Sequence, residues 1–407
     1  MTLVCLRSLA MHRSVLSRFS ERFKAVIARA VRNGTCLSLA LMVGLVGCVA
    51  DRPTYSERQA LDAQIPGFES VRLRLDGGLA SFVKSGFAAT SARAPVMLSI
   101  SGGGAGGAFS VGALEGWTTT GTRPSFDVVT GVSTGAFIAP FAFLGPKYDA
   151  LLRHLYTSGE AENLAKAKFL PVGLLGQSLL EQRPVRSMIE RYITPGLMQE
   201  IAVEHKKGRR LFVLTTNLDT QQAILWNMGA IASKGTPEAL SLFRDVLLAS
   251  ASIPGVFPAV KIASKSGARS IEELHSDGAS SSQFLTVPEA AFVSKLTAPV
   301  DIHRSRIYVL VNNTLIPEFA MTRDKTLPVI ARAYSILVKS QTKNGLYAAY
   351  EFARLHRIEF HVAAIDRPVP YKATDPFNTE YMRTVYRIGY QNAVSGRLWK
   401  DVPDFNE

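Results

Sequence analysis

The stretch PVMLSISGGGAGGAFSVGALEGWTTTGTRPSFDVVTGVSTG, residues 95–135, decides the fold. It opens on a short apolar run, Pro95–Ser101, and passes into Ser101-Gly-Gly-Gly-Ala-Gly-Gly107 and a small-residue helical stretch from Ala108 to Trp117. A second run, Phe126–Ser133, is rich in β-branched residues and continues into Gly131-Val-Ser-Thr-Gly135. Short β-branched runs bounded by glycine read as buried strands, and the residues between them have helical character. Gly103 and Ser133 stand 30 residues apart, the length of one βαβ crossover, so their strands are expected to be neighbours.

The same alternation extends downstream. Arg210–Asn217, Ile307–Asn313 and Ile358–Ile365 read as further buried strands, and Leu327–Ala353 and Tyr381–Val394 as helices. This predicts an α/β protein, a three-layer α/β/α fold with a central, mostly parallel sheet. Upstream, Val49 to about Ala94 is polar and rich in Gly, Ser and Ala, with short patterns such as Val71–Leu75. It reads as a tether plus an opening helix or strand. The expected organisation is a leader at 1–47, a tether and N-terminal extension at 48–94, and a catalytic domain at 95–400.

The 407 residues carry 46 Lys+Arg against 33 Asp+Glu, a net charge of +13, with 47% hydrophobic and 19% charged residues. That composition excludes a disordered chain and supplies ample core. Residues 1–47 hold +6 of the charge, leaving +7 on the rest. The surplus suits contact with anionic lipid headgroups. No basic run interleaved with aromatics follows residue 50, so nucleic acid is set aside as a partner.

The basic leader precedes the apolar stretch Cys36–Gly47, the plan of a secretory signal. Leu45-Val46-Gly47-Cys48 resembles the bacterial lipobox, in which the cysteine becomes the lipidated first residue. Only Cys5, Cys36 and Cys48 occur, so processing before Cys48 leaves one cysteine and no internal disulfide. Val49 rather than Asp after Cys48 points to the outer membrane. If uncut, the uncharged run 33–50 is near the minimum for a bilayer span and still places the remainder outside the cytoplasm. Met11 is an alternative start.

Gly102–Gly107 satisfies GxGxxG, which raises a dinucleotide site. That site needs an acid closing the second strand, and Asp127 opens its strand instead. GxSxG at Gly131–Gly135 places Ser133 on a tight strand-to-helix turn, with glycines where side chains would collide. A serine attacking an ester carbonyl creates an oxyanion. A glycine-rich turn lets backbone N–H groups reach it, and helix N-termini add positive partial charge. A third motif, His275-Ser-Asp-Gly-Ala279, reads as a polar turn after a charged loop. On its own, Asp-Gly is an Asx-type turn; after the other two motifs, Asp277 becomes a candidate base.

In this order, GGGxxG, GxSxG and DG[GA] resemble the patatin-like phospholipases over roughly residues 95–315. Leu214–Asp219 and Ala249–Pro258 also look like blocks of that family. The resemblance implies Ser133 as nucleophile and Asp277 as its base, a dyad without histidine. It implies an oxyanion hole from backbone N–H groups of Gly102, Gly103, Gly104 and Ala105, with Gly107, Gly131, Gly135 and Gly278 as motif glycines. Two positions depart: the family often has Asp at the place of Ser101 and Arg at the place of Gly106. Ala279 in place of Gly is a milder variant.

His303, His356 and His361 follow Asp277 in order and are the candidates for a triad. His303 and His356 lie in charged or helix-end contexts, and His361 in a strand. No His/Cys/Asp cluster has metal-ligand spacing, so neither metal nor cofactor is expected. The resulting expectation is a membrane-anchored lipid acyl hydrolase of phospholipase A type. A general esterase or thioesterase on the same dyad, and a non-catalytic envelope lipoprotein, are the alternatives. Leu151–Leu180, rich in Leu and Gly, is a candidate lid.

Overall fold

The computed structural model describes residues 52–75, 94–165, 178, 180–286, 304–371 and 375–404, and Tyr55–Glu407 form one compact unit. The leader at 1–47, Cys48 and His303 lie outside the described residues, as do 166–177 and 179 of the candidate lid.

The strands among the described residues are β1 (Arg72–Arg74), β2 (Val96–Ile100), β3 (Val128–Gly131), β4 (Arg210–Asn217), β5 (Gln222–Asn227), β6 (Val260–Ser266), β7 (Arg269–Asp277), β8 (Arg306–Thr314) and β9 (Glu359–Ile365). They join in one sheet, ordered β1-β5-β4-β3-β2-β8-β9, with β7 also paired to β4 and β6 paired to β7. The run β4-β3-β2-β8-β9 is parallel throughout, and β2 and β3 are neighbours, as the 30-residue spacing implies. The pairs β1–β5, β4–β5, β4–β7 and β6–β7 are antiparallel. The sheet is thus mostly parallel, with an antiparallel extension on one side that the apolar runs did not reveal.

Alternation along the strands distributes side chains to two faces. Tyr308 and Leu310 of β8 join the large core of Leu98, Ile100, Phe109 and Leu114, while Ile307, Val309 and Val311 point the other way, onto Leu346, Ala349 and Ala353. Burial on both faces is why the central strands read as unbroken apolar runs. It also makes the fold three-layered, with helices covering each side of the sheet.

The helices that matter for the site are α1 (Gly107–Thr119), α2 (Thr134–Leu144), α3 (Pro237–Ser250), α4 (Thr326–Leu355) and α5 (Thr379–Val394). The first is buried almost all round, because α5 packs against it at backbone contact. A Cβ added at Gly112 would lie 2.0 Å from the Tyr386 carbonyl oxygen, and one at Gly389 would lie 2.3 Å from that of Phe109.

The segment before residue 95 supplies a short helix, Glu57–Asp62, closed by a Ser56/Gln59 capping box, and then the edge strand β1. The segment before Asp277, expected as a charged loop, is instead the nine-residue strand β7. Its burial alternates inward at Ile271, Glu273 and His275, so the charges that suggested a loop are partly inside. Arg72 of β1 ion-pairs with Glu273 at 2.8 Å, and Asn217 donates to the same carboxylate at 3.0 Å. Burial pushes the Glu273 carboxyl up, but hydrogen bonds from His275 and Arg72 outweigh it and hold the pKa at about 2. Desolvation lowers the His275 pKa, opposed by the neighbouring Glu273 carboxylate.

The α1–α5 contact yields a prediction. Alanine at 112 gains about 1 kcal/mol of helix propensity over glycine. Its methyl meets a backbone oxygen that cannot rotate away, and overpacking of that kind costs about 1–3 kcal/mol. Gly112→Ala will therefore lower the denaturant midpoint of unfolding; an unchanged or raised midpoint contradicts the contact.

Candidate active site

Ser133 sits where β3 ends and α2 begins, with φ 55° and ψ −122°, a conformation that a non-glycine residue adopts only under constraint. The constraint is close approach of backbone. A Cβ at Gly135 would stand 2.3 Å from the Ile100 carbonyl oxygen of β2, and one at Gly131 would stand 2.3 Å from that of Gly135. The turn can therefore press directly onto the end of the neighbouring strand. The Ser133 N–H donates to Ser250 Oγ at 3.0 Å, and Ser250 in turn donates to the Leu214 carbonyl at 2.7 Å. Ser133 is the N-cap of α2 but its side chain caps nothing, so the hydroxyl is left for other work.

Asp277 closes β7 beside Thr215 of β4 and is fully buried. Its backbone is fixed on both sides: the N–H donates to Ser252 O at 2.9 Å, and Thr216 Oγ1 donates to its carbonyl at 3.0 Å. Oδ1 accepts from the Ala279 N–H at 2.8 Å, the Asx-type turn that the Asp-Gly pair suggested. The other oxygen, Oδ2, is buried with no hydrogen-bond partner. Desolvation raises the carboxyl to about 7, opposed by the Ala279 N–H and by the Ser133 hydroxyl. No hydrogen bond of ordinary geometry closes between Ser133 and Oδ2; the hydroxyl is near enough to act on the carboxyl all the same. One oxygen is thus spent on the turn and the other is desolvated and unpartnered, with the serine hydroxyl near enough to act on the carboxyl.

The glycine loop follows β2. Gly103 (φ 149°) and Gly104 (φ 54°) adopt conformations open to glycine, and Gly104–Gly106 form a 3-10 turn leading into α1. Its first N–H groups have no acceptor within the turn, which leaves those around Gly103, Gly104 and Ala105 for a ligand. Gly102 must be removed from that set, because its N–H donates to the Gln283 carbonyl at 3.0 Å. It remains a neighbour of the site: its hypothetical Cβ lies 3.4 Å from Ser133 Cβ.

The two departures from the family pattern find their explanation in Asn312, a fully buried residue of β8. Asn312 Nδ2 donates to Ser101 O at 2.8 Å, its N–H donates to Ser101 Oγ at 2.9 Å, and Oδ1 accepts from Ser110 Oγ at 2.6 Å. The asparagine thereby ties the entry of the loop to α1. A Cβ at Gly106 would come within 2.0 Å of the Asn312 carbonyl oxygen, so no arginine fits there. The motif search passed over Asn312; its trace in the sequence is a polar pair, Asn312-Asn313, ending an apolar strand.

Ser133 and Gly104 share the wall of an apolar cavity with Phe137, Leu155, Leu164, Ile189, Leu247 and Phe257. Part of the candidate lid, Leu155 and Leu164, therefore lines this cavity rather than lying apart from the site. The two described histidines among the triad candidates are engaged elsewhere. His361 Nδ1 lies 2.7 Å from Asp401 and its ring stacks on Tyr308, and His356 packs on Phe352. Among the described residues, no group of three or more His, Cys, Asp or Glu side chains is placed to hold a metal ion.

Asn312→Ala removes the side-chain hydrogen bonds to Ser101 O and from the Ser110 N–H and hydroxyl, leaving the buried Ser101 carbonyl and Ser110 hydroxyl short of a partner, at about 1–3 kcal/mol for a buried polar group left unpaired. The variant will unfold at lower denaturant by an amount in that range. Wild-type stability would show that the asparagine does not hold the loop.

The comparisons with known proteins agree with the three motifs. The family model described as Patatin-like phospholipase matches residues 98–290, which takes in the glycine loop, Ser133 and Asp277. No curated protein matches the chain. Among solved structures, VipD from Legionella pneumophila is 11% identical, with 75% of this chain and 67% of that chain covered at a TM-score of 0.32. The type III effector protein ExoU is also 11% identical, with 75% of this chain and 53% of that one covered at a TM-score of 0.27. Residues 98–290, a little under half of the chain, match the patatin-like phospholipases, a family of serine-type ester hydrolases.

Proposed function

We propose that the protein is a membrane-anchored lipid acyl hydrolase of phospholipase A type, working through a Ser133–Asp277 dyad. The observation that carries this reading is the buried, unpartnered Oδ2 of Asp277 beside Ser133. Attack of Ser133 Oγ on the ester carbonyl carbon forms the C–O bond while the hydroxyl proton passes to Oδ2. The oxyanion is met by N–H groups at Gly103, Gly104 and Ala105. The acyl–oxygen bond to the alcohol then breaks, and the leaving oxygen takes the proton from Asp277. Water repeats the cycle on the acyl-serine and releases the fatty acid. The cavity beside Ser133 suits an acyl chain, since its lining is mostly apolar and the Thr134 and Tyr156 hydroxyls within it are paired with each other.

The base must be ionised to act. With the carboxyl at about 7, the active fraction grows as pH rises through that value, so kcat/KM will climb with unit slope below about pH 7 and level off above it. Fluorophosphonate will label wild type and leave Ser133→Ala unlabelled. Asp277→Asn will label more slowly by about 10²–10⁴-fold, the usual loss for a removed general base. Full esterase activity in Ser133→Ala sinks the nucleophile assignment, and a pH-independent rate sinks the base. Turnover of phospholipid against acyl-CoA separates the lipase from a thioesterase.

The anchor is proposed at Cys48, supported by the basic leader, the apolar stretch Cys36–Gly47 and the small residue before the cysteine. It implies an exported protein at the outer membrane of a bacterial envelope. Palmitate will label wild type and not Cys48→Ala; equal labelling of both rules the anchor out.

A further inference from the structure

The long helix α4 is buried in only part of its length. Thr342, Leu346, Ala349 and Ala353 pack into the core, yet no described side chain from Thr326 to Gln341 is buried. This projecting part is apolar on its outer face: Val329, Ile330, Tyr334, Ile336 and Leu337 are all exposed, Leu337 by 66%. Ile330, Tyr334 and Leu337 follow the i, i+4, i+7 spacing of one helical stripe, and no charged residue falls within it. The loop before the helix adds Phe319, 93% exposed, and Met321, 86% exposed. The loop is fastened to the helix, with Lys339 donating to Ile316 O and ion-paired with Glu318 at 2.8 Å. The apolar residues therefore form one surface rather than scattered side chains, and surfaces of this kind mark binding sites.

Two observations say what it binds. The segment 316–343 carries five basic residues (Arg323, Lys325, Arg332, Lys339, Lys343) against Glu318 and Asp324, and Arg323 and Lys325 are exposed at the tip. Basic residues bordering an exposed apolar stripe are the composition of a helix that lies in a bilayer interface, with anionic headgroups meeting the charges. The surface also adjoins the catalytic dyad. Gln341 donates to Ser281 O at 2.8 Å and accepts from Gln283, whose carbonyl receives the Gly102 N–H, and Tyr334 is near enough to Asp277 to feel its charge. Among the described residues no helix is long and apolar enough to cross a membrane, which fits lying on the surface.

We propose that the Phe319/Met321 loop and the outer face of α4 dock on an anionic lipid surface and bring Ser133 to its substrate there. The proposal rests on the lipid-hydrolase reading for its purpose and not for its test. The full-length chain carrying Cys48→Ala, which has no acyl anchor, is compared with the same chain also carrying Phe319→Ser, Met321→Ser, Ile330→Ser and Leu337→Ser. Both are sedimented with phosphatidylglycerol and with phosphatidylcholine vesicles, assayed on a short-chain soluble ester, and sized by light scattering. The expected result is at least tenfold tighter binding to phosphatidylglycerol than to phosphatidylcholine. The fourfold variant loses at least tenfold of it, with unchanged soluble-ester turnover and circular dichroism. Equal vesicle binding by both proteins overturns the proposal, as does equal binding to the two lipids. A dimer that the substitutions dissociate assigns the face to a second copy and overturns it too. If neither protein cleaves the soluble ester while the vesicle difference holds, the dyad reading fails and the docking surface stands.

Discussion

A buried carboxylate is the constraint around which this molecule is arranged. Asp277 is fully buried, one of its oxygens is capped by the Ala279 N–H, and the other has no hydrogen-bond partner. Leaving such an oxygen unsatisfied costs about 1–3 kcal/mol, so the fold has to hold the group against its tendency to reach solvent. It does so through backbone. The Asp277 N–H is tied to Ser252 and its carbonyl to Thr216, and Gly278 sits so close to Leu214 that a Cβ there would lie 2.4 Å from the carbonyl oxygen. Strand β4, through Leu214 and Thr216, and the turn after α3, through Ser252, thus converge on Asp277 and Gly278.

Ser133 is held by the same logic. Its backbone strain, about 1–3 kcal/mol for a residue in such a conformation, persists because Gly131 and Gly135 let the turn press against β2. Ser250 links the two halves. It accepts from the Ser133 N–H and donates to Leu214 O, the strand carbonyl against which Gly278 packs. Ser133 and Asp277 are therefore registered to each other through β4 and the end of α3. Burial lifts the Asp277 carboxyl to about 7 against the opposing hydrogen bonds from Ala279 and Ser133.

What could be read from the sequence follows from where each segment's partners lie. β2, β3, β4, β8 and β9 are covered on both faces, so each one carries its own apolar signature. β7 does not: Arg-Ser-Ile-Glu-Glu-Leu-His-Ser-Asp looks like a charged loop because the charge that neutralises Glu273 comes from Arg72, 201 residues away. Burial of an ion pair depends on a partner that local composition cannot reveal. Asn312 was missed for a related reason, since its hydrogen bonds reach Ser101 and Ser110 across two strands and a helix. The glycines were legible because close backbone approach leaves only one residue type possible. The part of the oxyanion loop that was misjudged, Gly102, depends on a carbonyl contributed by Gln283.

The helix α4 unites features that would otherwise be unrelated. Its C-terminal half completes the core over β8 through Leu346 and Ala349, and the turn at Gln341 grips Ser281 and Gln283 behind the glycine loop. Its N-terminal half has no buried side chain among the described residues and exposes aliphatic ones. A rigid rod of this kind cannot shift at one end without carrying the other, because its backbone hydrogen bonds run unbroken from Thr326 to Leu355. The path from Gln341 to the glycine loop is two hydrogen bonds long, Gln283 Nε2 to Gln341 Oε1 and Gly102 N–H to Gln283 O, so the middle of the helix and the entry of the loop share Gln283 as a common support.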